Sequence, residues 1–461
     1  MSSPASAFRI VACLGCLALP GAPPLCADDG DLDPSFAGGA FTLAWTAGHA
    51  RASVLEPIPG GELLVGGTVG DAPGEIDGWA VAKLEADGSR DLLWSLAFQI
   101  VSAGDETMAI TDELCDLGRD GAGRTILAGA ADAGIDNHVP MLARLTPTGA
   151  LDASFDGNGI RLVDDAPAAW TELRTHAAAV LPDGRTVFAG RCGGCGDPEN
   201  DWAWVARRLA DGSADTSFSG DGWLSFRFDD TGTSAAVGVA VDEADRITVA
   251  GRRTLFTFVE AYLVRLTPAG TADGSFGGGD GMSGPWGDLP ARGLALDPSS
   301  GRIATGTGEV NFAGEGRVEV FTAAGDPDPT FSGDGIVSLD LEEGTSIHAV
   351  AFQSDGKLLA VGTIDANGAN QGGLFLARMT KAGALDATFD DNGVKRVEFD
   401  AAANVADGAF AVTTMGGRLV AAGYAGAGGG ANQEFAVVRT ESALLFSDGF
   451  ERGSTGGWSG Q

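Results

Sequence analysis

Three groups of residues carry side chains whose type and spacing suit chemistry. Cys192 and Cys195 bracket a Cys-Gly-Gly-Cys unit. A redox site of that spacing uses a helix N-terminus to stabilise the attacking thiolate, and no helical pattern follows here. Zinc would need two more ligands, of which His176 offers one. A short-loop disulfide is the simpler reading in an oxidising compartment. Of the four histidines, His176 and His348 each stand seven residues before the Asp of an Asp-Gly turn, Asp183 and Asp355. That shared repeat position places both at the mouth of a central channel. Neither is matched with a Ser or Cys nucleophile in a recognisable setting, and no glycine-rich phosphate loop opens a helix. Trp170, Trp202 and Trp286 form the third group. Such rings stack on sugars or anchor a protein partner, with loop packing as the plainer role.

The acids Asp152, Asp156 and Asn158, like Asp215 and Asp221, approach the spacing of a calcium loop without its Asp-x-Asp-x-Asp-Gly core or distal Glu. Asx turns with glycine at positive φ account for the same residues. Calcium is therefore the one cofactor worth naming, and no metal site is assigned.

These residues hang on a repeat. The stretch LTPTGALDASFDGNGI, residues 145–160, recurs along the chain, and its aromatic falls at Phe36, Trp94, Phe155, Phe218, Phe276, Phe331 and Phe389, at separations of 58, 61, 63, 58, 55 and 58. A strand ending in glycine also occurs seven times, at Gly67, Gly129, Gly190, Gly251, Gly306, Gly362 and Gly423. An alternating apolar strand (MLARL, WVARRL, YLVRL, FLARM, FAVVR) precedes each connector. Each unit thus holds four short strands of period two, and no helical pattern competes.

A sheet of this size cannot cover both its faces alone, whereas several packed around an axis can. The expectation is an all-β fold, a seven-bladed β-propeller with four antiparallel strands per blade, spanning residues 28–440. The chain opens on a connector and an outermost-type strand and finishes on the three inner types. The N-terminal strand should therefore join the last blade and close the ring.

The repeats GALDASFDGNG, GSADTSFSGDG and GALDATFDDNG, each some forty residues ahead of a DGR or DGK turn and an AG ending, resemble the delta-60 repeat family over roughly residues 31–440. The second connector, DGSRDLLWSLA, and the unit RIATGTGEVNFAGEGRVEVF depart from the pattern. The resemblance implies a bacterial exported propeller and supplies no agreed activity.

Composition agrees with a tight-turned β array. Gly contributes 72 of 461 residues while 44% of the chain stays hydrophobic. The balance of 29 basic against 63 acidic residues, a formal charge of -34, repels phosphate backbones and anionic membranes, which argues against nucleic acid as a partner. Residues 10–19, IVACLGCLAL, follow Arg9 and precede PGAPPLCA, the layout of a signal peptide over residues 1–27. Its removal takes away Cys13, Cys16 and Cys26. No later run approaches the length of a membrane span. Residues 441–461 leave the repeat and resemble a short tail found on exported proteobacterial proteins.

The loops on one rim are short and uniform, and those on the other differ between units, so a binding site belongs on the variable rim. The reading is a monomeric protein, secreted, periplasmic or extracellular, that binds a protein or carbohydrate through an acidic variable rim. The alternative is an enzyme like metal-dependent lactonase or lyase propellers, with a cation held by carboxylates at the axial mouth. A purely structural coat component is the third.

Overall fold

The computed structural model describes residues 30–441 apart from 44, 46–48, 71–77, 93, 100–112, 133–137, 197–200, 257, 287–290, 308–315, 342–343, 365–372, 400–406 and 428–431. The expected signal peptide, the tail and much of the variable rim lie outside the described residues. What is described is all β, apart from one 3-10 turn at Gly277–Gly279.

Strand β1 is Ala40–Leu43. Strands β2 to β5 are His49–Ile58, Glu62–Gly70, Gly78–Leu84 and Leu96–Gln99, and β6 to β9 are Leu114–Arg119, Thr125–Asp132, His138–Leu145 and Ile160–Leu162. The next set, β10 to β13, is Thr171–Val180, Thr186–Gly193, Trp202–Arg208 and Trp223–Phe226. Strands β14 to β17 are Thr233–Val241, Ile247–Leu255, Phe258–Leu266 and Met282–Trp286. Strands β18 to β21 are Ala291–Leu296, Ile303–Thr307, Gly316–Phe321 and Ile336–Leu339. Then come β22 to β25, Thr345–Phe352, Leu358–Ile364, Leu374–Met379 and Val394–Val397, and finally β26 to β28, Gly408–Met415, Arg418–Ala427 and Asn432–Arg439.

Each set of four pairs antiparallel in chain order, and β26 to β28 take β1 as their fourth strand, with Ala40 opposite Val438 and Leu43 opposite Phe435. Single parallel pairings, His49 with Gln433 and Arg174 with His138, link two sets to their neighbours. The first strands pack on one another in order: β2 on β6, then β10, β14, β18, β22 and β26, and β26 on β2. Second and third strands such as β23 and β24 are buried throughout, because a sheet covers each face. They accordingly read as continuous apolar runs, whereas the outermost β21 alternates exposed and covered positions.

The repeated connector is fixed by an ion pair. Arg144, at the end of β8, donates from Nε to Asp152 at 2.8 Å, lies 4.6 Å over the Phe155 ring and donates from Nη1 to the Ala210 carbonyl of the next set. Arg207 with Asp215 and Phe218, Arg265 with Asp273 and Phe276, and Arg378 with Asp386 and Phe389 repeat the ion pair and ring contact. In the set that spans the termini, Arg439 donates to Asp33 at 2.7 Å and covers Phe36. Two units lack this arginine and are mended locally. Where the second connector has tryptophan, Trp94 Nε1 donates to the Pro147 carbonyl at 2.9 Å. Where Glu319 replaces arginine, Arg302 reaches Asp328 at 3.8 Å and the Lys381 carbonyl at 3.4 Å.

Candidate functional site

Each of the seven first strands carries a β-bulge at the same place. In β10, Thr175 and Ala177 pair with the consecutive residues Gly190 and Ala189, so His176 opposes nothing. The residues left out in the same way are Ser53, Cys115, Val237, Gly293, His348 and Phe410. A bulge bends its strand and re-aims the extra side chain, and bulges concentrate beside functional sites. All seven residues line one cavity of about 470 Å³ where the first strands converge.

The glycine-ending strands are the other half of this device. The residue before each bulge pairs with the recurrent glycine, as Thr175 with Gly190 and Ile347 with Gly362. A Cβ at Gly67, Gly129, Gly190, Gly362 or Gly423 would collide with the carbonyl oxygen of Arg51, Glu113, Arg174, Ser346 or Gly408 respectively. Glycine at these positions is a clearance for the bulged backbone, and needs no unusual φ.

Above the seven bulge residues the cavity wall holds His49, Arg51, Thr68, Glu113 and Arg252. Among the described residues this lining sets two guanidiniums against one carboxylate, in a chain of charge -34. The Arg51 guanidinium lies 3.6 Å from the Phe410 ring centroid, His348 stacks on that ring at 4.3 Å, and His348 Nε2 is 3.1 Å from Thr363 Oγ1. His176 Nε2 and His49 Nδ1 are buried nitrogens without a hydrogen-bond partner. Burial first, and then the Arg252, Arg191 and Arg174 guanidiniums and His138, push the His176 pKa down to about 4. Burial and Arg51 lower His49 as well. Both imidazoles are therefore neutral near pH 7, and the guanidiniums carry the charge. Burial raises the Cys115 thiol well above its ordinary range, with Glu113 and Asp116 adding to it, so Cys115 is a poor nucleophile there.

Among the residues expected from sequence, His176 and His348 come together in this cavity, and the three tryptophans stand apart from it. Trp202 and Trp286 correct the loop placement: Trp202 opens β12 and Trp286 ends β17, because the strand ladder runs further than the apolar alternation suggests. Trp170 does precede a strand, but its ring meets Trp223 edge-on at 5.4 Å. Trp202 faces the Arg227 guanidinium at 5.0 Å, and Trp286 Nε1 donates to Ser283 Oγ at 2.8 Å. Cys192 and Cys195 are joined by a disulfide with Cα atoms 5.9 Å apart, beside the Trp170 and Trp202 rings. Sequence reasoning missed Ser53, Cys115, Val237, Gly293 and Phe410, although each stands at the His176 repeat position, and it missed Arg51 and Arg252.

The calcium-like acids are engaged by the protein itself. Asp152 takes Arg144 on one oxygen and Ser154 on the other; Asp215 takes Arg207 and Ser217 likewise. Asp156 pairs with Arg161, while Asn158 and Asp221 accept backbone N–H groups two residues on. Among the described residues no group of three or more His, Cys, Asp or Glu side chains is placed to hold a metal ion.

Residues 353–389 match a family model described as a domain of unknown function (DUF5122) beta-propeller. The architecture is a β-propeller. No curated protein matches the sequence. Among solved structures, the chain is similar to a catalytically inactive virginiamycin B lyase from Staphylococcus aureus with quinupristin, at 12% identity and a TM-score of 0.46 over 87% of this chain and 98% of that one. It is also similar to polysaccharide lyase Uly1, at 12% identity and 0.44 over 87% and 91%. A gluconolactonase from Xanthomonas campestris follows at 13% identity and 0.37 over 87% and 89%. At these identities none of the three assigns an activity. No described helix is long and apolar enough to cross a membrane.

Proposed function

We propose that this chain is an exported seven-bladed propeller, closed by β1 on β28, that works as a binding module with its ligand seat in the axial cavity. The bulge ring carries this reading. Six of the seven first strands give up a ladder position to present a side chain at the axis, the seventh bulge residue being Gly293, and bulges that re-aim side chains into one cavity support use of the axis as a seat. The cavity volume of about 470 Å³ falls within the roughly 300–1,000 Å³ of small-molecule sites. His49, the first residue of β2, lines the cavity, so a larger glycan or protein approaching the start of the first strands could place one terminal group in the seat.

The competing metal-dependent lactonase- or lyase-like reading needs a cation at this mouth. Arg51 and Arg252 oppose one, and among the described residues Glu113 is the carboxylate that lines the seat. The donor chemistry therefore favours binding without a resident cation.

Cys115 provides the test, because it lines the seat and is the free cysteine among the described residues. Because its thiol is held above the ordinary range, Cys115 should alkylate slowly even at pH 9.5, and a saturating ligand found by thermal shift against sugars and organic acids should slow that labelling several-fold further, read by peptide mass mapping over hours. Val237→Trp should fill the seat and abolish the ligand's thermal shift. A ligand that shifts the midpoint yet leaves Cys115 labelling unchanged would move the binding function away from the axis.

A further inference from the structure

We infer that the axial seat takes the carboxylate group of a small organic acid, an acidic sugar being the best-fitting class. The inference rests on the axial binding reading and adds the chemistry of the ligand. Three observations carry it. First, Arg252 reaches the cavity from β15, and among the described residues no carboxylate or other acceptor engages its guanidinium. A half-buried arginine without an acceptor is a ready bidentate partner for a carboxylate. Second, His176 Nε2 is a buried polar atom without a partner in the same cavity. A buried polar atom left unsatisfied costs about 1–3 kcal/mol, which a ligand oxygen would recover with the proton on Nε2. Third, the wall beside Arg252 is apolar: Val237, Val239 and Leu294 line it. The seat thus offers a cationic corner joined to a smooth face, which matches a ring or short chain bearing one acid. A singly charged group fits better than sulfate or phosphate, because Glu113 shares the mouth and the whole chain carries -34.

The same geometry couples binding to a proton. His176 is faced by Arg174 on its own strand, Arg191 on β11, Arg252 on β15 and His138 on β8, all of which disfavour the imidazolium. His49, Arg51 and His348 line the same cavity, and Glu113 is the carboxylate that lines it among the described residues. A bound carboxylate reverses the balance at His176, so it raises that imidazole's pKa and binding takes up a proton. Affinity should rise as pH falls from 7 to 5.

The experiment is calorimetric titration of the whole protein with glucuronate, glucose, sulfate and phosphate at pH 7 and 5, with Cys115 protection by each, at saturating concentration, read separately from the slow alkylation rate at pH 9.5. Glucuronate should bind, protect Cys115 and tighten toward pH 5, with glucose weaker by roughly ten-fold or more. Arg252→Gln should weaken glucuronate by a similar factor, Arg252→Lys should restore part of it, and His176→Gln should flatten the pH dependence. Glucose binding as tightly as glucuronate, with Cys115 protected, overturns the carboxylate and leaves the seat. Sulfate or phosphate binding as tightly as glucuronate overturns the preference for a single charge. Protection of Cys115 by none of the four overturns the carboxylate inference; if neutral sugars and other organic acids also fail, the axial reading falls with it.

Discussion

Replacing Asp33 with alanine should unfasten the join between the two ends of the chain. The Asp33 carboxylate is fully buried and receives Arg439 Nε at 2.7 Å and Nη2 at 2.6 Å, Ser35 N at 2.9 Å and Ser35 Oγ at 2.6 Å, with Arg418 Nε at 3.3 Å. Burial alone would raise its pKa, and the Ser35 and Arg439 bonds outweigh burial and hold it below the ordinary value. Without the carboxylate, Arg439, whose side chain is 4% exposed, keeps only neutral acceptors, Ala86 O at 3.1 Å and Ser35 Oγ at 3.3 Å. Stranding a buried charge in this way costs roughly 3–5 kcal/mol, against a typical total of about 5–15 kcal/mol. Urea unfolding followed by tryptophan fluorescence would measure the loss, and hydrogen exchange would show β1 amides losing protection first. Asp152→Ala removes the same chemistry within one continuous segment, so it should cost a similar free energy while β1 stays protected. The double variant Asp33→Ala/Arg439→Met removes both charges and should recover much of the single variant's loss. A cost below about 1 kcal/mol for Asp33→Ala, or a double variant as unstable as the sum of the singles, would refute the buried latch.

Gly362→Ala should cost about 1–3 kcal/mol, because its methyl meets the Ser346 carbonyl; it should also shift the His348 ring resonances, and an unchanged midpoint would sink the clearance argument. Burial raises Asp116 to about 7, with Glu56 adding to it against bonds from Val180 and Leu117 N–H. A raised carboxyl pKa means stability is lost as pH climbs from about 4 through 7, so Asp116→Asn, which keeps an acceptor for Val180, should gain about 2 kcal/mol at pH 8 and little at pH 4. His176 has the opposite dependence: its depressed pKa means stability is full above pH 6.5 and falls as pH drops toward 4, so His176→Gln should flatten the acid limb of the unfolding midpoint. Trp94→Phe should lose about 1 kcal/mol with its bond to the Pro147 carbonyl, measurable by the same urea titration.

The strand count, the connector aromatics and the pairing of the first strand with the last were all legible because they repeat as residue types. Phe155 and its equivalents stayed visible through one tryptophan: five of the rings pack against an arginine, and Trp94 and Phe331, whose units lack it, are buried all the same. The arginines themselves were in view in MLARL, WVARRL and FLARM, but read as the polar member of an alternation; their bonds to Asp152, Asp215 and Asp386 need the fold. The axial residues were harder. His176 and His348 drew notice only because the same type occurs twice. Ser53, Cys115, Val237, Gly293 and Phe410 share their position without sharing chemistry, and a residue outside the ladder has no periodicity to betray it. The one repeated trace of the bulge is the glycine opposite it, which looks in sequence like a strand terminator.

That arrangement has a consequence for how such a protein changes over generations. A residue within a ladder must suit its cross-strand neighbours, so substitutions there are answerable to stability. Ser53, Cys115, His176, Val237, Gly293, His348 and Phe410 have no such neighbour, and already range from glycine to phenylalanine. Positions such as Cys115, His176 and Val237 around one seat let duplicated units diverge in what they recognise, while His348 and Phe410 are tied to each other by their stacked rings and Gly293 by the backbone it abuts.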